Sequence, residues 1–281
     1  IYHLPFSSPF TLYHFFAIFS SMRLSKNELK FIRSLTQKKV RQANQKFILE
    51  GWRALRELLN SPFEADLVAV LPSYLENGDY KGLLDQVRQR KIPLKEISEK
   101  ELRQVSETVH AQGVVAVVRQ RATQLSSSLI GAAKVILALD TIADPGNVGT
   151  ILRTADWFGA DLVLLGKGTV ELYNDKVVRS TVGSLFHVPV VEGIDLGVSL
   201  AELKGQGFRI VALSADGKTD LDDVDWGKRN VIVLGAEAQG ISKQARSIAD
   251  VLVRISRFGR AESLNVGVAC GIALSQLRKQ S

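Results

Sequence analysis

Three groups of polar residues stand just after apolar runs in the second half of this sequence, and their types suit chemistry run by hydrogen bonds and fixed charge. The first is Asp144-Pro145-Gly146-Asn147, leading into a helical stretch that carries Arg153. The second is Gly235-Ala236-Glu237, and the third is Glu262-Ser263-Leu264-Asn265. Singly, each has an ordinary structural reading. Asn147 reads as a helix N-cap after a Pro-Gly turn, Arg153 as a surface charge, Glu237 as a loop carboxylate, and Ser263 and Asn265 as caps of the apolar helix that follows. Together they converge on one rim, and convergence favours a shared site over three coincidences.

Other chemistries find little support. Cys270 is the single cysteine, so no internal disulfide forms, and the four histidines (His3, His14, His110, His187) are too scattered for a zinc-ligand spacing. No metal site is expected. No Gly-x-Gly-x-x-Gly follows a strand, and Asp216-Gly217-Lys218-Thr219 ends like a phosphate loop but has Ala212 at the leading glycine position. No Ser/His/Asp nucleophile set stands out.

The elements that must position these groups follow from hydrophobic periodicity. After the polar stretch Gln120 to Ser128, short Val/Ile/Leu runs alternate with helical stretches: Val135 to Asp140, Leu162 to Leu165, Val188 to Val191, Arg209 to Leu213, Val231 to Gly235 and Val251 to Ile255. Such continuous runs predict a parallel sheet covered on both faces, which binds ligands at the carboxyl ends of its strands. The region before it reads as two helices over residues 25–60, the second ending at the Asn60-Ser61-Pro62 breaker. A small α/β unit follows, with strands at Leu67 to Leu71, Leu94 to Ile97 and Gly113 to Val118 and a helix at Tyr80 to Arg90.

The chain has 281 residues and a net charge of +7. Residues 22–120 carry 18 Lys/Arg against 12 Asp/Glu, whereas residues 121–281 carry 18 against 17. Between Arg23 and Arg56 ten basic residues face only Glu28 and Glu50, a polyanion-facing segment if it is ordered on one face. Residues 1–21 are apolar, uncharged and precede Met22, the only methionine. They fit neither a signal peptide nor a membrane span and are read as an upstream extension. The expected division is thus 1–21, an N-terminal domain at 22–119, a linker at 120–130 and a C-terminal domain at 131–281.

The three clusters, in this order and at these separations, resemble the motifs of the SpoU (TrmH-like) RNA 2′-O-ribose methyltransferases of the SPOUT superfamily. Asn147 to Gly159 is similar to the first motif, Leu234 to Ile241 to the second, and Ile255 to Ala269, with its Glu-Ser-Leu-Asn-Val core, to the third. Asn174 to Pro189, with Arg179, Gly183, Phe186, His187 and Pro189, follows the family pattern between them. Phe47 to Gly51 and Gln112 to Ala116 resemble the start and end of the family's N-terminal substrate-binding domain. Departures occur at Ala236 and Gly267, where serine is frequent, and at Ser256-Arg257, where Pro-Met is frequent.

The resemblance implies a C-terminal parallel-sheet domain with a trefoil knot, a smaller N-terminal α/β domain that binds RNA, and a cytoplasmic homodimer joined through the C-terminal domain. It implies S-adenosylmethionine as cofactor, held by the backbones at Leu234, Gly235, Ile255 and Leu264, and Asn147, Arg153, Glu237, Ser263 and Asn265 as catalytic residues. RNA contacts are expected from Lys26, Lys38, Lys39, Arg41 and Lys46, and from Arg179 and His187. Ribosomal RNA is favoured as substrate, with transfer RNA or a non-catalytic RNA-binding role as alternatives. A base nitrogen or carbon acceptor would be the other methyl-transfer chemistry. Because a guanidinium stays protonated, Arg153 suits electrostatic activation better than general base catalysis.

Overall fold

The computed structural model describes residues 23–106, 112–237 and 239–280. The reading of residues 1–21, and His110, fall outside them. The chain divides into two compact units, residues 1–120 and 121–281.

In the first unit, Ser25 opens helix α1 (Lys26–Ser34) with a reciprocal capping box to Glu28, and α2 (Lys38–Asn44) follows. Strand β1 (Lys46–Glu50) and α3 (Trp52–Leu59) come next, then β2 (Ala65–Val70), α4 (Pro72–Leu75), α5 (Gly78–Gln89), β3 (Leu94–Glu96), α6 (Glu99–Val105) and β4 (Val114–Arg119). The sheet runs β1-β4-β2-β3, antiparallel except for the β2–β3 pair. Two helices over residues 25–60 is therefore corrected to three helices and a strand. Phe47, Ile48 and Leu49 are buried in succession, and pairing with β4 overrides any helical continuation from α2. Gln45 at φ 52° and Gly51 at φ 96° bend the backbone at the two ends of that strand.

The second unit holds α7 (Ser127–Ala132), β5 (Val135–Asp140), α8 (Pro145–Trp157), β6 (Leu162–Gly166), α9 (Asp175–Thr181), β7 (Val190–Ile194), α10 (Leu196–Gly205), β8 (Arg209–Leu213), β9 (Thr219–Asp220), β10 (Asn230–Gly235), α11 (Lys243–Ile248), β11 (Val251–Arg254) and α12 (Val266–Lys279). Its seven strands are all parallel in the order β7-β6-β5-β10-β8-β11-β9. Every residue of β5 and β6 is buried, as a sheet covered on both faces requires. Helix α7, capped by Ser126, begins inside the stretch 120–130 read as a linker. The third strand starts at Val190 rather than Val188 because Pro189 has no N–H for the ladder; only its carbonyl pairs, with Val163 N at 3.0 Å.

Two features of this topology place the site. Strands β5 and β10 are neighbours although they lie far apart in sequence, so the loops that follow them meet at one rim, the switch point where such sheets bind ligands. Helix α12 packs on α8, with Val266, Cys270, Ala273, Leu274 and Leu277 buried. A Cβ at Gly267 would lie 2.9 Å from Thr150 Cγ2, so the close approach of the two helices accounts for glycine at this position. No helix among the described residues is long and apolar enough to cross a membrane.

Candidate active site

The cap of α8 is Asp144 and not Asn147. Asp144 Oδ1 accepts from Asn147 N at 2.8 Å, Pro145 takes the first helical position, and the Asn147 side chain is left free for other partners. The Asp144 carboxyl is held below the usual carboxylate range, first by that backbone N–H and then by Lys176. After β10 the chain doubles back so tightly that Ala236 and Gly240 pair. A Cβ on Gly235 would meet the Gly240 carbonyl carbon at 2.3 Å, so only glycine permits this return, which delivers Glu237 to the rim. Asn265 caps α12: its Oδ1 accepts from Gly267 N at 2.9 Å and Val268 N at 3.3 Å.

These three loops close into one hydrogen-bonded cluster. Asn147 Nδ2 donates to Glu237 Oε1 at 3.0 Å, and Asn265 Nδ2 donates to the same oxygen at 3.1 Å and to Asn147 Oδ1 at 2.8 Å. Ser263 is exposed two residues before Asn265 and caps nothing. Arg153 is not brought into the cluster. It is exposed on α8, and six residues of helix turn it about 120° away from Asn147.

Beside the cluster lies a cavity of about 840 Å³, in the size range of small-molecule and cofactor sites. Leu234, Gly235, Ile255 and Leu264, the four expected cofactor contacts, all line it, and Glu237 and Ser263 stand among its polar groups. Its walls are braced by two carboxylates: Asp220, which has no signal in the sequence, and Asp216, noted there only for its likeness to a phosphate loop. Asp220 accepts from Arg254 Nε at 2.9 Å, Arg254 Nη2 at 3.0 Å and Ser256 Oγ at 2.7 Å. Arg254 first and Ser256 second hold its carboxyl down at about 2. The serine that replaces a frequent proline at 256 is thereby fixed by a hydrogen bond instead of a ring. Asp216, held by Arg246 and Ser214, braces the facing loop. Asp140, buried at the end of β5, accepts from Ser242 N at 2.7 Å and ties down the chain beyond the Glu237 loop. Among the described residues, no three His, Cys, Asp or Glu side chains gather as metal ligands.

The expected RNA contacts separate into two groups. Lys26, Lys38 and Lys39 are exposed. Arg41 is not available: it is 2% exposed, and its Nη1 donates to the carbonyls of Leu35 at 2.8 Å and Thr36 at 2.6 Å. The end of α1 leaves those carbonyls without helical partners, and the guanidinium satisfies them, which overrides its place in a basic stretch. Lys46 pairs with Asp66 at 2.7 Å and Arg179 with Asp175 at 3.3 Å, both half-buried. His187 Nδ1 lies 2.9 Å from Asp156 Oδ2, one helical turn beyond Arg153.

A profile of the SpoU rRNA Methylase family matches residues 134–275, the whole of this sheet and its three loops. The chain belongs to that family. A second profile, the MRM3-like substrate binding domain, matches residues 26–116. The 23S rRNA (guanosine(2553)-2′-O)-methyltransferase RlmP of Bacillus subtilis is 32% identical over 90% of this chain and 97% of its own. Among solved structures, a putative TrmH-family RNA methyltransferase of Porphyromonas gingivalis superposes with a TM-score of 0.77 at 30% identity, over 92% of this chain and 99% of its own. The AdoMet-bound rRNA methyltransferase of Sinorhizobium meliloti superposes with a TM-score of 0.80 at 28% identity, over 92% and 97%.

Proposed function

We propose that this chain transfers the methyl group of S-adenosylmethionine to a ribose 2′-hydroxyl of ribosomal RNA. The observation that carries the reading is the Asn147–Glu237–Asn265 cluster at the edge of the cavity, made by the three loops that resemble the family's motifs. Membership of the family and the S-adenosylmethionine in the Sinorhizobium relative support the cofactor, and the name of the Bacillus relative supports ribosomal over transfer RNA.

The cavity suits that cofactor. Leu234, Ile255, Leu264 and Val266 offer apolar contact to an adenine and to the methylene chain of the methionine part, and the backbones at Gly235 and Ile255 offer polar contact. When bound, the cofactor would supply a methyl on a positively charged sulfur, to be taken by the ribose O2′ as the sulfur leaves neutral and the hydroxyl proton passes to water. The residues have to position that hydroxyl and stabilise negative charge growing on it. Asn147, which keeps one amide N–H free, orients the ribose; Asn265 and Glu237 hold Asn147 in place, and Ser263 completes the hydrogen-bonding set. Arg153 supplies positive charge to the developing oxyanion without accepting its proton.

Because Arg153 faces away from the cluster of its own subunit, we assign it to the site of a second copy. Trp157, one turn beyond it, is 84% exposed, and Val268 and Ile272 of α12 are 51% and 37% exposed, a surface suited to a homodimer of the C-terminal unit. Lys26, Lys38 and Lys39 hold RNA phosphates. The path from β11 through residues 255–265 into α12 is proposed to form the trefoil knot, and the enzyme is proposed to act in the cytoplasm.

The test is a reaction of the full chain with methyl-labelled S-adenosylmethionine and an unmodified 23S ribosomal RNA transcript, followed by nucleoside chromatography. A labelled 2′-O-methylnucleoside supports the reading, and label in a base overturns it.

A further inference from the structure

The loop that carries Ser263 and Asn265 begins with Arg257-Phe258-Gly259-Arg260, whose aromatic ring takes no part in the Asn147–Glu237–Asn265 cluster. Phe258 is 99% exposed, more than any other large apolar side chain among the described residues. It lines the same cavity as Leu264 and Glu237. Arg257 and Arg260 flank it and are themselves exposed, Arg257 reaching only the Ala261 carbonyl at 3.4 Å. Beside Gly259 lies open space.

A bare aromatic ring between two guanidinium groups fits a ligand that is flat, apolar on its faces and negatively charged along its backbone. An unpaired nucleotide has that character, since its base stacks on aromatic rings and on arginine planes while cations hold its phosphates. An apolar protein surface or a lipid tail would leave both arginines unmatched. Position selects the nucleotide further: the ring is five residues from Ser263 and seven from Asn265 on one continuous loop. Because the ring also shares its cavity with Glu237 and Ser263, a base stacked there lies close to the ribose those residues serve.

We propose that Phe258 is a specificity-determining residue: it stacks on an unpaired base of the RNA beside the ribose that is methylated, with Arg257 and Arg260 holding the adjoining phosphates. The inference rests on the function proposed above. Trp157, the other bare aromatic, stands on α8 beside Arg153 and is accounted for by the second subunit.

The experiment compares wild type, Phe258→Ala and Phe258→Trp of the full chain on an unmodified 23S ribosomal RNA transcript. Because the ring is exposed, Phe258→Ala keeps the wild-type unfolding temperature. It raises KM for RNA about tenfold, as loss of one stacked base does, while the Kd for S-adenosylmethionine stays within about twofold. Phe258→Trp, which keeps a stacking face, restores KM. Its fluorescence, after subtraction of the wild-type signal from Trp52, Trp157 and Trp226, is quenched by the RNA and not by S-adenosylmethionine alone. The proposal is overturned if Phe258→Ala leaves KM for RNA unchanged, if it weakens cofactor binding as much as RNA binding, or if its main effect is on the oligomeric state. Should the wild type place no methyl on ribose, the function reading fails by itself. The quench then decides this inference separately: quenching by RNA upholds the stacking and its absence removes it.

Discussion

Asn265 Nδ2 lies 2.8 Å from Asn147 Oδ1 and 3.1 Å from Glu237 Oε1, so a single amide joins side chains from three separate loops. The same residue caps α12 through its other terminal atom. Its two roles can be separated. Asn265→Asp keeps an acceptor for the cap, and so keeps stability near wild type, but sets a carboxylate against Glu237. The single-turnover rate is expected to fall about 10²-fold, in line with loss of one preorganised donor. Unchanged rate with unchanged melting would contradict a role for the cluster.

Arg153 tests the subunit arrangement. Arg153→Ala and Asn265→Ala are each expected to be nearly inactive. If the arginine crosses the interface, each mixed dimer contains one doubly defective site and one intact site, and an equal mixture after exchange recovers about a quarter of wild-type activity. Recovery of nothing in verified mixed dimers would place Arg153 in its own subunit's site.

Lys38 and Lys39 are exposed whereas Arg41 is buried, although all three sit in one basic run. Lys38→Ala with Lys39→Ala is expected to leave melting unchanged and to lower the slope of log K against log salt for RNA binding by about 1 to 2, near one per lost phosphate contact. Arg41→Ala strips the donor from two carbonyls and costs about 2 kcal/mol of stability. Denaturant titration and salt-dependent binding separate the two effects, and a pure affinity defect in Arg41→Ala would reverse the assignment.

The parallel sheet was legible because buried strands such as Val135–Asp140 leave unbroken apolar runs, and the three clusters were legible because glycines and polar residues punctuate those runs. Strand β1 was not, because Phe47 to Leu49 is too short to distinguish from helix without its partner β4. The cap at Asp144 did leave a signal, Asp followed by Pro, which outweighs the Asn three residues after it. Asp220 left none: its partners are 34 and 36 residues away, and only the fold brings them together.

Asp220 sets a pH expectation. Its carboxyl, held at about 2 by Arg254 and Ser256, lies below the unfolded value of about 3.9. Its bracing is therefore complete above about pH 4 and is lost only as pH falls through about 2. Calorimetric affinity for S-adenosylmethionine should show no Asp220-dependent step between pH 5 and 8, and Asp220→Asn should weaken it several-fold throughout that range. A step in the wild type that disappears in the variant would refute this.

Cys270 is fully buried in α12, and burial pushes its thiol up to about 12. Thiolate, the reactive form, is then almost absent at neutral pH. A disulfide reagent such as Ellman's should leave the native protein unlabelled for hours and modify one thiol per chain at once in denaturant. Fast labelling of the native form would show that α12 opens readily.

Ribose methylation by this chain is tested most directly by mapping 2′-O-methyl groups, through resistance to alkaline cleavage, across ribosomal RNA from cells with and without the gene. A single ribose that loses protection when the gene is removed, regains it with the wild-type chain and stays unprotected with Asn265→Asp is the predicted result. An unchanged ribose map, or a lost base methylation in its place, would contradict it.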